Sequence, residues 1–339
     1  MHQPSLVGAD AAAPPDVSAR PDAAGRLAQE HASARDLAAR LPPLLKCGTS
    51  SWSFPGWAGI VYGREATQAH LSRHGLAEYA RHPLLTTVGI DRSYYAPIPV
   101  DDLRAYAGQL PPRFPCCAKA PASVTSLVVP GGRRDAPEPN PHFLSPERFA
   151  VEMLEPFAVA FADHCGPFIV ECAPTPRGFP ADPHAFAERL DRFLAPLPRE
   201  WQFAVELRDP RLLTAEYARV LERHRAGHVY NAWSAMPTPG AQAQTLDPAR
   251  LAFVVVRLLL KPGTWYEDAR DAFKPFNRLV EPDAGMRDEV TDIVVRAVAR
   301  AQPAWLLVNN KAEGSAPLTI RALAERIAAD TGNTPGRVE

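Results

Sequence analysis

The feature that most restricts how this chain can fold is a regular alternation of short apolar runs with helix-patterned ones. The apolar runs are Leu45–Ser50, Leu85–Asp91, Phe114–Lys119, Phe168–Cys172, Gln202–Leu207, His228–Asn231, Ala252–Arg257 and Trp305–Asn309. Short, nearly continuous apolar runs are what parallel strands covered on their outer face by helices require. The runs between them carry a helical period. Phe149, Met153, Leu154, Phe157 and Phe161 fall on one stripe, as do Phe186, Leu190, Phe193 and Leu194, and Val290, Ile293, Val294 and Ala297. Pro156 lies inside the first stripe and predicts a kink or break there. Ser145 followed by Pro146 and Glu147 reads as a helix start, and Asp101 and Thr214 read as starts of the same kind. Between the sixth and seventh strands only Asp247–Leu251 looks helical, and the last helix is expected over Pro317–Ala329.

Eight strands alternating with helices predict an α/β protein, a single (β/α)8 TIM-type barrel. The alternative, a doubly wound open sheet, usually carries a glycine-rich turn after its first strand. Here that turn reads Gly48-Thr49-Ser50-Ser51, and no phosphate-binding P-loop pattern occurs. The barrel is expected over residues 43–330, preceded by a mobile N-terminal arm (1–42) that is partly helical and followed by a tail (331–339). Residues 128–141 (VVPGGRRDAPEPNP) form an irregular insertion after the third strand, too long for a plain connector.

With 37 Lys and Arg against 38 Asp and Glu, the chain has no global field to hold nucleic-acid phosphates or an anionic membrane. No nucleic-acid or membrane partner is expected, and Gly131-Gly132-Arg133-Arg134 reads as a solvated loop. No apolar run approaches the length of a membrane span, and the first 30 residues lack a leader pattern. Cys47, Cys116, Cys117, Cys165 and Cys172 are odd in number and show no paired metal-binding spacing, so buried free thiols and a cytoplasmic location are expected. No cofactor is expected, and the sequence leaves the oligomeric state open.

In a barrel the side chains at the C-terminal strand ends converge on one mouth. The strand ends supply Asp91 and Tyr94, Lys119, Glu171, Glu206 and Arg208, Asn231, Arg257, and Asn309 and Asn310, with Trp52 just after the first strand. A charged group in an apolar strand is costly unless it is paired or faces a wet cavity. Glu206 and Arg208 share parity, so both can point at the mouth. The plain alternative is that these charges pair with one another and brace the barrel.

These residues sit in stretches that resemble the YecE-like family, domain of unknown function 72. The matching pieces are CGTSSWSFPGWAGIVY (47–62), TVGIDRSYYAPIP (87–99), FPCCAKAP (114–121), FAVELRDPRLL (203–213) and LLVNNKAEGSAP (306–317). The resemblance implies a TIM-type barrel and brings no known activity. Trp52, Lys119, Glu206, Arg208, Arg257, Asn309 and Asn310 carry over as shared mouth residues. The chain departs from the family pattern at Gly89 and Asp91, where a glutamate and an asparagine are usual. It departs again at Glu171-Cys172-Ala173-Pro174, usually Q-L-P-P, and after Arg257, where the usual histidine is missing. It therefore reads as a divergent subgroup.

The functional expectation is an enzyme, of hydrolase or isomerase class, acting on a small anionic or sugar-like molecule. Glu171 and Glu206 are the acid/base candidates, with Lys119 beside them in the catalytic set. Lys119, Arg208 and Arg257 would anchor an anion, Asn309 and Asn310 would hydrogen-bond hydroxyls, and Trp52 would stack on a sugar face. Trp52 and Trp57 as a plug over the barrel end is the competing reading. Schiff-base chemistry at Lys119 competes with a salt bridge from it to Glu171 or Asp91. The alternatives for the whole protein are a non-catalytic ligand-binding or scaffold barrel and a Mg-dependent phosphoester hydrolase using Asp91, Glu171 and Glu206. A histidine-rich metal site is not expected, because the mouth set holds no histidine.

Overall fold

A computed structural model describes residues 22–132, 137–176, 178–261, 263–264 and 266–332. Eight parallel strands close into a barrel in sequence order: β1 Leu45–Thr49, β2 Thr87–Ile90, β3 Cys116–Lys119, β4 Cys165–Cys172, β5 Phe203–Leu207, β6 Gly227–Ala232, β7 Val254–Leu258 and β8 Ala304–Val308. β8 pairs with β1, from Leu45 opposite Ala304 to Thr49 opposite Val308, which closes the ring. All eight expected strands are present, and β4 begins three residues earlier than its apolar run suggested.

The helices are α1 Ala23–Ala38, α2 Gln68–His74, α3 Leu76–Tyr79, α4 Val100–Ala107, α5 Ala122–Thr125, α6 Pro146–Phe149, α7 Glu155–Ala160, α8 Pro183–Leu194, α9 Ala215–His224, α10 Pro239–Thr245, α11 Tyr266–Phe273, α12 Ala284–Ala299 and α13 Ala316–Gly332. Side-chain caps support several starts. Ser145 accepts from the Arg148 N–H and Thr214 from the Tyr217 N–H. The start expected at Asp101 falls one residue earlier, at Val100, with Asp101 in the first turn. Between α6 and α7 the chain passes through a π-helical turn, Ala150–Leu154. Pro156 then sits in the first turn of α7, where its missing N–H costs little. The β6–β7 connection holds α10 as well as the expected turn at Pro248–Arg250. That helix escaped the sequence pattern because Pro-Gly-Ala-Gln-Ala-Gln-Thr carries no apolar stripe.

The N-terminal arm lies partly outside the described residues. Within them, α1 is capped by Asp22 and buries Ala34 and Leu37. It is tied to α13 by Arg321, which binds the Glu30 carboxylate and donates to Ser33 Oγ. Of the 128–141 insertion, residues 133–136 lie outside the described set. Its flanks are closed by a bridge between Val128 and Pro139 and by the Asn140 amide, which donates to the Ser123 and Ser126 carbonyls. α13 runs to Gly332, three residues beyond its expected end, and the rest of the tail lies outside the described residues.

Strand parity sorts the side chains into two cores. Outward residues pack under the helices in the larger one, and the inward Cys117, Ile169, Ala204, Val229, Val255, Trp305 and Leu307 fill the barrel. Cys116 and Cys117 accordingly face opposite sides, and all five cysteines are free. β1 and β2 approach so closely that a Cβ at Gly89 would lie 3.0 Å from the Ser50 Cα. A side chain at position 89 would need the Ser50 backbone to give by a few tenths of an ångström.

Phe149 is fully buried with its ring against Phe168, Phe193 and Phe203. Phe149→Ala is expected to cost about 3–5 kcal/mol of stability in urea unfolding, because it leaves a cavity between helix and sheet.

Candidate functional site at the strand C-termini

Two residues beyond each inward apolar residue of six strands stands a polar one. Lys119 follows Cys117, Glu171 follows Ile169, Glu206 follows Ala204, Asn231 follows Val229, Arg257 follows Val255 and Asn309 follows Leu307. The two-residue period of a strand lifts each of these side chains one layer above the apolar filling, into the mouth.

Glu171 and Glu206 are direct neighbours across the β4–β5 register. Two guanidinium groups bridge them. Arg208 Nη2 lies 2.6 Å from Glu171 Oε2 and 2.6 Å from Glu206 Oε1. Arg257 Nη1 lies 2.5 Å from Glu206 Oε2 and 3.5 Å from Glu171 Oε2, while its Nη2 lies 3.0 Å from both Asp91 oxygens. Lys119 Nζ lies 2.9 Å from Glu171 Oε2. The charges balance at three carboxylates and three cations. Two aromatic rings back the cations: Lys119 Nζ stands 3.9 Å from the Tyr94 ring centre and the Arg208 guanidinium 4.1 Å from that of Trp233.

The cluster has two tiers. Glu206 is 0% exposed and Arg257 1%, so the inner tier does not reach solvent. Glu171 at 11% and Asp91 at 30% form the outer tier with Lys119 and Tyr94. The three cations nearest Glu171 all converge on Oε2. The Glu171 side chain keeps 11% of its surface exposed at the mouth. Arg208 Nε and Arg257 Nε are buried donors with no acceptor. Burial alone would raise the Glu171 pKa, but Arg208, Lys119 and Arg257 overcome it and hold the carboxyl at about 2. Burial, with Glu171 adding to it, pushes the Tyr94 hydroxyl up to about 12. Glu171 is thus an anion and Tyr94 a neutral phenol at neutral pH.

Seven of the ten expected site residues gather here: Asp91, Tyr94, Lys119, Glu171, Glu206, Arg208 and Arg257; Asn309 shares the parity of the inward Leu307, and its Oδ1 accepts from the Lys311 N–H. Two do not take the expected role. Trp52 is buried against the Tyr106 ring and donates through Nε1 to the Leu71 carbonyl. Asn310 is 1% exposed, and its Oδ1 accepts from Trp57 Nε1 and from the Ala316 N–H at the start of α13. Both brace the loops around the mouth. Glu206, expected among the acid/base pair, has no exposed surface and both its oxygens are paired, so it sets the field and does not meet a ligand directly. Trp233 was not singled out from sequence. Its signal is its parity with Asn231, two residues earlier on β6. Among the described residues no three His, Cys, Asp or Glu side chains are grouped to hold a metal ion.

A closed (β/α)8 barrel with a charge-balanced polar mouth places the chain among TIM-barrel proteins. The sequence profile of a protein family of unknown function, DUF72, matches residues 46–338, and the chain belongs to that family. A DUF72 family protein from Enterococcus faecalis V583 is 17% identical, with 87% of this chain and 100% of that one covered at a TM-score of 0.55. One from Thermotoga maritima MSB8 is 16% identical, with 85% and 99% covered at a TM-score of 0.56. No curated protein matches the chain. No helix among the described residues is long and apolar enough to cross a membrane.

Removing Arg257 would leave Glu206 and Asp91 short of a partner in a buried site. Arg257→Met is expected to cost about 3–5 kcal/mol in urea unfolding at neutral pH. A depressed carboxyl stabilises the fold above its unfolded pKa and loses that contribution as pH falls through the folded value. Glu171 therefore contributes fully above about 4.5 and nothing below about 2. Urea midpoints followed across that window are expected to fall less steeply in Glu171→Gln than in the parent protein.

Proposed function

We propose that the mouth binds a small polyhydroxylated, sugar-like molecule and acts on it as a hydrolase or isomerase. The observation that carries this reading is Glu171, an ionised carboxylate with one oxygen fixed by three cations and 11% of its side chain still exposed at the mouth. Its carboxylate accepts a hydroxyl proton or hydrogen bond from the ligand. The Lys119 ammonium, 2.9 Å from Glu171 Oε2, donates to the same molecule. The Asp91 carboxylate extends the row of polar contacts, and the Tyr94 ring closes one side. Because Glu171 stays ionised, its part is that of base or electrostatic stabiliser, and the proton donor is Lys119 or water.

Charge balance favours a polyhydroxylated ligand over a purely anionic one. An anion has to displace Glu171, Glu206 or Asp91 from the cations they already hold, whereas hydroxyls serve carboxylates and ammonium together. A second reading, a barrel that binds such a ligand without turnover, is supported by the fact that every carboxylate of the cluster already has a cationic partner. The Mg-dependent route finds less support, since the carboxylates are committed to guanidinium groups.

Calorimetric titration of wild-type protein with neutral sugars, sugar acids and sugar phosphates checks this. A neutral or hydroxy-acid sugar is expected to bind, and Lys119→Met and Glu171→Gln to weaken it about tenfold or more each, the scale of losing a charged hydrogen bond. Product formation lost in Glu171→Gln separates turnover from binding. If no compound of the panel binds, or the bound one maps away from Glu171, the reading fails.

A further inference from the structure

Behind the inner tier runs a chain of buried polar groups that the mouth itself does not account for. Tyr217 Oη lies 2.8 Å from His228 Nδ1, and His228 Nε2 lies 3.2 Å from Gln242 Oε1. Gln242 Nε2 donates to the Asn231 carbonyl at 2.7 Å and reaches the Asn231 Oδ1 at 3.3 Å. Asn231 Nδ2 donates to the Leu207 carbonyl at 2.8 Å and to Glu206 Oε1 at 3.4 Å. Tyr217, His228, Gln242, Asn231 and Glu206 are all fully buried.

The partners fix the amide orientations and the imidazole tautomer in this chain, while the Tyr217 hydroxyl lies near both His228 Nδ1 and, at 3.4 Å, the Val205 carbonyl. The Gln242 amide nitrogen faces two carbonyl oxygens, of Asn231 and Pro237, and its oxygen accepts from the Asn231 N–H, so the amide has only one orientation. Gln242 Oε1 can then only accept from His228, which places the imidazole proton on Nε2. His228 Nδ1 is left as an acceptor, facing the Tyr217 hydroxyl. Burial lowers the His228 pKa to about 4, against the opposing effect of Gln242, so the ring is neutral at physiological pH. Asn231 is held likewise, with its oxygen toward Gln242 and its NH2 toward Leu207 and Glu206.

We propose that Gln242, its amide fixed by the Asn231 and Pro237 carbonyls, is a positioning residue for the mouth: together with the Leu207 carbonyl it holds the Asn231 amide so that an N–H, and not a carbonyl oxygen, faces Glu206. A flipped Asn231 would set its oxygen against the Glu206 carboxylate and push it out of the bridge formed by Arg208 and Arg257. The device extends the proposed ligand site and rests on that reading only for its effect on binding; the orientation itself stands on the hydrogen-bond geometry.

The test uses nitrogen-detected and 1H–15N NMR spectra of the full chain, with Gln242→Leu, Gln242→Glu and Tyr217→Phe as variants. Wild-type His228 is expected to show a protonated Nε2 and an unprotonated Nδ1 through the neutral pH range. Gln242→Glu keeps the acceptor for His228 but has no donor for Asn231. It is expected to retain the His228 pattern while shifting the Asn231 amide and Arg257 guanidinium signals, as Gln242→Leu does. Tyr217→Phe removes the far end of the chain and is expected to move them least. Where a mouth ligand has been found, Gln242→Glu is expected to bind it about tenfold more weakly. A wild-type His228 protonated on Nδ1 overturns the proposal. So do Asn231 and Arg257 signals that stay in place in Gln242→Glu while only thermal stability falls. If Gln242→Leu does not fold, the wild-type tautomer and Gln242→Glu still decide. Failure of every ligand to bind would sink the ligand reading and leave these spectral outcomes standing.

Discussion

The structure turns on two carboxylates, Glu171 and Glu206, placed side by side on neighbouring strands. Adjacent strands lie about 4.8 Å apart, and two like charges at that distance repel by about 3 kcal/mol at an intermediate effective dielectric. No fold would keep that pair ionised without compensation. Arg208 and Arg257 supply it, each spanning both carboxylates, and Arg257 continues to Asp91 on the far side of the ring. Arg257 comes from β7, Asp91 from the end of β2 and the glutamates from β4 and β5, so the pairing also fixes four parts of the barrel against one another. The ion-pair network expected as a plain alternative is present. It coexists with an outer tier that solvent partly reaches, so one cluster holds both enclosed and accessible members.

That division explains why burial is tolerated here. A buried ion pair is seldom more stable than an apolar pair of the same volume, because desolvation offsets most of the attraction. The barrel interior below the mouth shows the apolar solution, from Cys117 round to Leu307. One layer higher the same strands carry charges, at positions where Val or Leu would have filled the space at lower cost. The enclosed Glu206–Arg257 pair therefore makes physical sense as a fixed base beneath the outer tier, where Arg208 and Lys119, with Arg257 behind them, hold Glu171 ionised.

Much of this was legible in the sequence. The eight strands and their closure follow from short apolar runs separated by helical stripes, and the mouth residues follow from strand parity, as with Glu206 and Arg208. Two kinds of information were not legible. Trp52 and Asn310 lie beside the mouth in sequence, but loop geometry turns them toward Leu71 and Trp57, and no periodicity governs loops. The enclosure of Glu206 depends on side chains from β6 and β7, Asn231 and Arg257, that are distant from it in the chain.

α10 is the plainest case. Its seven residues lack the apolar stripe that reveals a helix, since the faces it buries include Gln242 together with Pro239 and Ala243. A glutamine at 0% exposure needs several partners, because each unmet donor or acceptor would cost about 1–3 kcal/mol. Gln242 meets that demand with Asn231, Pro237 and His228, and in doing so joins the outer face of β6 to its inward-pointing end. A helix that hides amide groups is invisible to any search for hydrophobic periodicity. The same property makes it a polar wedge, whose glutamine reaches from outside the barrel to a side chain that points within it.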